Sequence, residues 1–330
     1  MSQLHVRRWE NVIIIRLVPM EEDKITYFFN KKWVLKKRPQ GLFNAKTCAL
    51  EEASVCAGDL KENEILVKTE YLSVDAFIRT MLDETKNAVH KGIDVGGTVP
   101  AIGIGQVVAK GPKSTHNIGS YVSGFFGAQT YAIADSNQAF GVLPLPGVSR
   151  REGLGLFGIT TGITAYVGTF CVAKPPAKGE VAVVSAAAGA VGSIAAQLLL
   201  STGATVIGIA GGEKKCKYLT EELKLHGAID YKSKESVAEQ LKKLAPNGVD
   251  FFYDNVGGSI LDDILNVIRL NGRIIICGAV SQYSGNLNVG SVQGPSNYLK
   301  LAENGAEMKG FVVMQYMARY LYRCFPLLFC

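Results

Sequence analysis

Apolar residues recur along this chain in two different rhythms. From Lys32 onward they come in short β-branched and aromatic runs punctuated by glycine, which predicts strands over residues 33–35, 65–74, 101–111, 121–126 and 129–133. Many short strands with glycine turns make the first half mostly β. Near Gly153 the texture changes. Continuous apolar runs at 181–185, 205–210, 249–254 and 273–277 suit strands covered on both faces. They alternate with helical patterns at 191–201, 215–224, 236–244 and 260–270. A short strand at 228–230 and a sixth at 308–313 complete the series. Such alternation predicts an α/β fold, a doubly wound parallel sheet behind a β-rich first domain. Residues 1–30 have no clear period and read as an atypical N-terminal extension.

Composition narrows the picture only a little. Hydrophobic residues make up 48% of the 330 positions and charged residues 19%, so a large core forms easily. The net charge of +6 is scattered, with no arginine-rich arm or basic stripe, which argues against a nucleic-acid partner. Seven cysteines show no C-x-x-C spacing and point to a reduced, cytoplasmic protein rather than a disulfide framework. No apolar run is long enough for a membrane span. The four histidines are isolated from one another, so no metal site is expected.

The chemistry concentrates in Val183-Val184-Ser185-Ala186-Ala187-Ala188-Gly189-Ala190-Val191-Gly192-Ser193. This is G-x-G-x-x-G with Ala187 in place of the first glycine, set between an apolar strand and a helix. Gly189 lets the backbone approach a pyrophosphate, and Gly192 lets the helix pack on its strand. The helix start offers amide N–H groups to the phosphates. The next strand ends Ile209-Ala210-Gly211-Gly212, followed by Glu213, Lys214 and Lys215. Small residues where an NAD-binding chain places an acid, with lysines beside them, favour NADP over NAD; Glu213 is the counter-signal. Asp254-Asn255-Val256-Gly257-Gly258 and Cys277-Gly278-Ala279-Val280-Ser281-Gln282-Tyr283 stand at the carboxyl ends of later strands, where ligands of open α/β sheets bind.

A β-rich half followed by this half resembles the medium-chain dehydrogenase/reductase superfamily. Within it the chain is similar to the zinc-independent prostaglandin reductase group, also called leukotriene B4 12-hydroxydehydrogenase or NADPH-dependent alkenal/one oxidoreductase. The resemblance rests on Leu72-Ser73-Val74-Asp75, Gly162-Ile163-Thr164-Ala165-Tyr166, the run 184–193, Tyr253-Asp254-Asn255-Val256-Gly257-Gly258, the run 276–283, Gly294-Pro295-Ser296-Asn297-Tyr298 and Gly310-Phe311-Val312-Val313. It implies a GroES-like substrate domain at 31–155, a Rossmann NADP-binding domain at 156–316 and an atypical tail at 317–330.

The resemblance also implies roles. Gly189, Ala190, Val191 and Gly192 would hold the pyrophosphate of NADPH, and Lys215 and Tyr231 the 2′-phosphate. Thr164, Asn255, the loop of Cys277, Gly278, Ala279, Val280, Ser281, Gln282 and Tyr283, and then Phe311, Val312 and Val313 would line the rest. The implied reaction is hydride transfer to the β-carbon of an enone or enal, such as an alkenal or 15-oxoprostaglandin. Tyr283 either stabilises the enolate and donates its proton or only positions the ribose. The alternatives are an NADPH:quinone reductase of the same superfamily and a catalytically impaired variant. A homodimer paired through the strand at 311–313 is implied as well.

Three departures qualify the resemblance. Ala76 and Phe77 stand where the family often has Pro and Tyr, and Thr160-Thr161-Gly162 stands where it has Met-Pro-Gly. The family's closing segment after the sixth strand is not recognisable in 317–330, from which a product of lower solubility and activity is expected.

Overall fold

The computed structural model describes residues 3–9, 12–18, 26–83, 92–142, 144–284 and 294–316. Strands β1 (Gln3–Trp9) and β2 (Val12–Val18) pair antiparallel as a sheet of their own. The β-branched run in β2 favours an extended strand, so residues read as lacking a period form a hairpin. The expected tail at 317–330 lies outside the described residues.

The first half continues with β3 (Tyr27–Leu35), β4 (Cys48–Cys56), β5 (Glu64–Ser73), the short helix α1 (Ile78–Met81), β6 (Ile102–Lys110), β7 (Tyr121–Phe125), β8 (Tyr131–Asp135) and β9 (Phe140–Gly141). β3 and β4 form an antiparallel ribbon. The other five strands form one antiparallel sheet in the order β8-β5-β6-β7-β9. Ile65, Val67, Val107, Val122, Phe126 and Ala132 fill its core.

Helices α2 (Arg150–Leu156) and α3 (Gly162–Phe170) lead into the second half. Leu154 of α2 is buried against Ile102 and Ile104 of β6, so α2 belongs to the β-rich core while its carboxyl end points the chain toward the second. Then follow β10 (Val181–Val184), α4 (Ala190–Ser201), β11 (Thr205–Ala210), α5 (Glu213–Lys217), β12 (Gly227–Asp230), α6 (Val237–Leu244), β13 (Val249–Asp254), α7 (Gly258–Val267), β14 (Ile268–Ile276), α8 (Leu299–Glu303) and β15 (Glu307–Gly310). The six strands are parallel in the order β12-β11-β10-β13-β14-β15. Counted from β10, that is the 3-2-1-4-5-6 order of dinucleotide-binding sheets, with its switch point between β10 and β13.

Neighbouring residues of these strands face opposite ways, and each face finds helices. Val184, Tyr253 and Ile275 join Ala165 of α3 and Ala195, Ala196 and Leu199 of α4. Val183, Phe252 and Ile274 join Val237 and Leu241 of α6 and Ile260, Leu261, Ile264 and Leu265 of α7. All six residues of β13 are buried, the reason its sequence lacks alternation. Ser236 starts α6 with a reciprocal capping box to Glu239.

Three predicted boundaries are corrected. The helix expected to run to 270 ends at Val267, and Ile268, Arg269 and Leu270 belong to β14. Ile268 takes up extended geometry and pairs with Val249, and Asn271 at φ +59° turns the chain before the main ladder. The helix expected over 215–224 is α5 followed by a wider π-helical turn, Tyr218–Glu222. The strand expected over 308–313 stops at Gly310. Phe311 leaves the ladder and packs edge-on to Tyr316, 6.4 Å between ring centres. Phe311, Val312 and Val313 are therefore not strand residues, and the sheet edge is Glu307–Gly310.

Tyr253 brings α3 close against the sheet. A Cβ on Gly168 would stand 2.6 Å from the ring of Tyr253, and the Tyr253 hydroxyl donates to the Thr164 carbonyl at 3.0 Å. Gly168→Ala should therefore cost about 1–3 kcal/mol, the range for overfilling a packed core. Chemical denaturation will show a lower midpoint with an unchanged slope; an unchanged midpoint would mean that α3 shifts freely.

Candidate functional site

The loops at the carboxyl ends of β10, β11, β13 and β14 open at one edge of the parallel sheet. After β10 the chain turns at Ala186, which takes the left-handed φ of +48°. The Gly189 amide donates back to the Ala186 carbonyl at 2.8 Å, and Gly189 then starts α4 without a side-chain cap. The first amides of a helix lack intrahelical acceptors, and here no side chain takes them up. A Cβ on Gly192 would lie 2.3 Å from the Ala186 oxygen, so α4 comes this close only with glycine there. Ala187, where the motif ordinarily has its first glycine, is fully buried. Room for its methyl comes from Gly208 on β11, whose own Cβ would be 2.9 Å from it. Gly208 was not singled out in the sequence; its signal was a lone glycine inside an apolar strand. A glycine turn of this shape, exposed at Gly189 and Ala190, fits a pyrophosphate.

At the end of β11, Gly212 takes φ +92° and Gly211 lies beneath Tyr231, with its would-be Cβ 2.7 Å from the ring. Asp230 is the acid bonded to this turn. Its Oδ1 accepts the Gly212 amide at 2.7 Å and the Lys232 amide at 2.9 Å, and these bonds hold its carboxyl below the usual carboxylate range. It is thus turned into the loop it builds. Glu213, the counter-signal, pairs with Lys217 at 2.8 Å. Lys215 is exposed one turn into α5, with no ion-pair partner among the described residues. Gly211, Gly212, Tyr231 and the exposed Lys215 thus stand at the end of β11 with no acid side chain free to meet a ribose.

The third part is built on β13 and β14. Asp254 is fully buried and accepts from Ser185 Oγ at 2.8 Å, the Val256 amide at 2.9 Å and the Gly257 amide at 3.0 Å. Ser185 Oγ in turn accepts the Asn255 amide at 2.7 Å, and Asn255 Nδ2 donates to the Ser185 carbonyl at 2.8 Å. These bonds tie the switch-point strands together and fix Asn255. Burial outweighs them and raises the Asp254 carboxyl. Neither Ser185 nor the Asp254 network was read from the sequence, where Ser185 looks like the end of an apolar run.

The loop from Cys277 to Tyr283 folds over this base. The Val280 amide donates to the Asn255 carbonyl at 3.1 Å and Ser281 Oγ to the Val256 carbonyl at 2.6 Å. The Tyr283 hydroxyl oxygen accepts the Ala279 amide at 3.2 Å, which leaves its own proton to donate. Burial raises the Tyr283 phenol, and burial pushes the Cys277 thiol up to about 12. Thr164 Oγ1 donates to the Ile159 carbonyl at 2.6 Å, so that hydroxyl braces α3. The Tyr253 hydroxyl links the Thr164 carbonyl to the neighbourhood of Cys277. Phe311 and Cys277 pack on the same core cluster, whereas Val312 and Val313 lead away into a short 3-10 turn.

Among the described residues no group of three or more His, Cys, Asp and Glu side chains is placed to hold a metal ion. Among the same residues no helix is long and apolar enough to cross a membrane.

Comparison with known proteins gives the setting. Residues 31–142 match the family model described as the N-terminal domain of oxidoreductase, and residues 190–322 the one described as zinc-binding dehydrogenase. The chain is 32% identical over 290 residues to the NADPH-dependent curcumin reductase of Escherichia coli, covering 87% of this chain and 81% of that protein. It is 32% identical over 296 residues to prostaglandin reductase 1 of Mus musculus, covering 86% and 82%. The crystal structure of CurA in complex with NADPH from Vibrio vulnificus superimposes with a TM-score of 0.79 at 29% identity, over 88% of this chain and 84% of that one.

The raised Asp254 carboxyl fixes the sign of a pH effect. Its contribution to stability is fully present below the unfolded-state value and is lost as pH rises through the folded-state value. Asp254→Asn keeps an oxygen for the loop amides and removes the titration. Its stability should fall less than that of the parent as pH rises across that window, measured by urea unfolding at several pH values. Parallel curves for the two proteins would contradict this.

Proposed function

This chain belongs to the zinc-independent medium-chain dehydrogenase/reductase family, and we propose that it reduces the carbon–carbon double bond of α,β-unsaturated ketones and aldehydes with NADPH. The observation that carries this reading is the shared edge. The glycine turn of β10 opens at the switch point and the loop that presents Tyr283 from β14 folds over the neighbouring end of β13, so a dinucleotide with its pyrophosphate on the first would direct its nicotinamide toward the second. Relatives named for reducing curcumin and prostaglandins support the substrate class.

NADPH bound here supplies a hydride to the β-carbon. The chain's residues do the rest. Amides at 190–192 face the pyrophosphate, with Gly189 giving it room, and Lys215 and Tyr231 take the 2′-phosphate, which NADH lacks. Asn255 and Thr164 flank the nicotinamide, with Phe311, Val312 and Val313 beyond it. Tyr283 donates a hydrogen bond to the carbonyl oxygen as negative charge develops there. Its hydroxyl oxygen already accepts the Ala279 amide, so its proton is the one it has to offer. Alkenals and 15-oxoprostaglandin-type enones are the substrates to try first. A homodimer paired through the outer edge of β15, Glu307–Gly310, completes the reading.

Loss of NADPH absorbance with a small enone tests the activity. NADPH should serve far better than NADH. Lys215→Ala removes a charge-assisted bond of about 1.5–3 kcal/mol, so the KM for NADPH should rise about 10- to 100-fold while that for NADH stays put. Equal use of both cofactors by the parent, or an unaffected variant, would contradict the phosphate assignment.

A further inference from the structure

At the end of β12 stands a carboxylate that no step of the reaction uses. Asp230 pairs across the ladder with Ala210, the last residue of β11. A free acid at this edge would accept from the 2′-hydroxyl of a ribose and repel a phosphate. Asp230 is not free. One oxygen, Oδ1, receives the Gly212 amide at 2.7 Å from the loop after β11 and the Lys232 amide at 2.9 Å from the loop after β12. Among the described residues no hydrogen bond goes to Oδ2.

Both loops depend on that oxygen. Gly212 has φ +92° and nothing within 4 Å of the place of a Cβ, so packing does not keep its turn in shape. Its carbonyl accepts the Lys215 amide at 3.0 Å and the Cys216 amide at 3.2 Å, which sets where α5 starts and where Lys215 stands. In the other loop, the residue between Asp230 and Lys232 is Tyr231, whose ring lies over Gly211. Asp230 Oδ1 therefore joins the backbone that carries the lysine to the backbone that carries the tyrosine. Asp230 is itself held from behind. Its amide donates to Gln240 Oε1 at 3.0 Å, and Gln240 Nε2 donates to the Asp230 carbonyl at 3.0 Å and the Glu235 carbonyl at 2.8 Å. Gln240 is half-buried on α6, the helix whose Val237 and Leu241 pack into the core of the sheet. The carboxylate is thus anchored to the core and not to solvent.

We propose that Asp230 is a positioning residue for cofactor selectivity: by tying the Gly212 and Lys232 amides to one oxygen it sets Lys215 and Tyr231 to receive the 2′-phosphate, and it keeps its own carboxylate from a ribose. This rests on the assignment of Lys215 and Tyr231 to that phosphate. The acceptor oxygen does the positioning. The negative charge works against a phosphate, so the two properties of the side chain pull in opposite directions and can be separated by substitution.

Calorimetric titration of the full chain with NADP+ and with NAD+, in the absence of substrate, tests this apart from turnover. Asp230→Ala should weaken NADP+ binding about 10-fold, the scale of one misplaced charge-assisted bond, and leave NAD+ binding as it is. Asp230→Asn keeps Oδ1 and drops the charge, so it should bind NADP+ at least as tightly as the parent. In the cofactor-free chain, hydrogen exchange at the Gly212 and Lys232 amides should quicken in Asp230→Ala and stay at the parent's rate in Asp230→Asn. Retained NAD+ binding shows that the alanine variant is folded. An alanine variant with the parent's preference for NADP+, an asparagine variant that loses it, or equal weakening of both cofactors would overturn the positioning role and leave the phosphate assignment standing. A parent that binds NADP+ no better than NAD+ would overturn the assignment of Lys215 and Tyr231, and the role of Asp230 with it.

Discussion

The amino end of α4 sits over β10 only because position 192 has no side chain. The Ala186 oxygen lies 2.3 Å from where a Cβ would be, closer than any side chain tolerates. Around that approach everything else is arranged. Ala186 takes a left-handed turn, Gly189 closes it, and the helix begins with its amides directed past the end of the strand. The glycine missing from the start of the motif is made up one strand away, where Gly208 leaves space for the Ala187 methyl. Two glycines on neighbouring elements thus do the work that the usual pattern assigns to adjacent positions.

From that edge the organisation spreads in two directions. Across the switch point, Ser185 and the buried Asp254 lock β10 to β13 and hold Asn255. On the far side of β13, Tyr253 reaches α3. The same short path therefore carries the cofactor turn and the base of the Tyr283 loop. A site assembled from strand ends in this way is rigid at its base, where core residues pack on both sheet faces.

Much of this was legible in the chain itself. The parallel strands announce themselves because burial on both faces leaves uninterrupted apolar runs, and 205–210 and 249–254 match β11 and β13 at both ends. The glycine turn is readable because its requirement is local. Boundaries set by tertiary packing are not. Ile268 leaves its helix to pair with Val249, and Phe311 leaves its strand to meet Tyr316; neither partner is near in sequence. The candidate site divides the same way. Gly189, Gly192 and Lys215 follow from motif and charge, and Tyr283 from the family resemblance. Gly208 and Ser185 do not, since each matters only through a residue on another element.

The account stands or falls on where the hydride goes. NADPH carrying deuterium at C4 of the nicotinamide, on the transferred face, should place it on the β-carbon of a small enone, seen by NMR of the saturated ketone. Deuterium on the carbonyl carbon of an allylic alcohol, or none in any product, would contradict a double-bond reductase built on this edge.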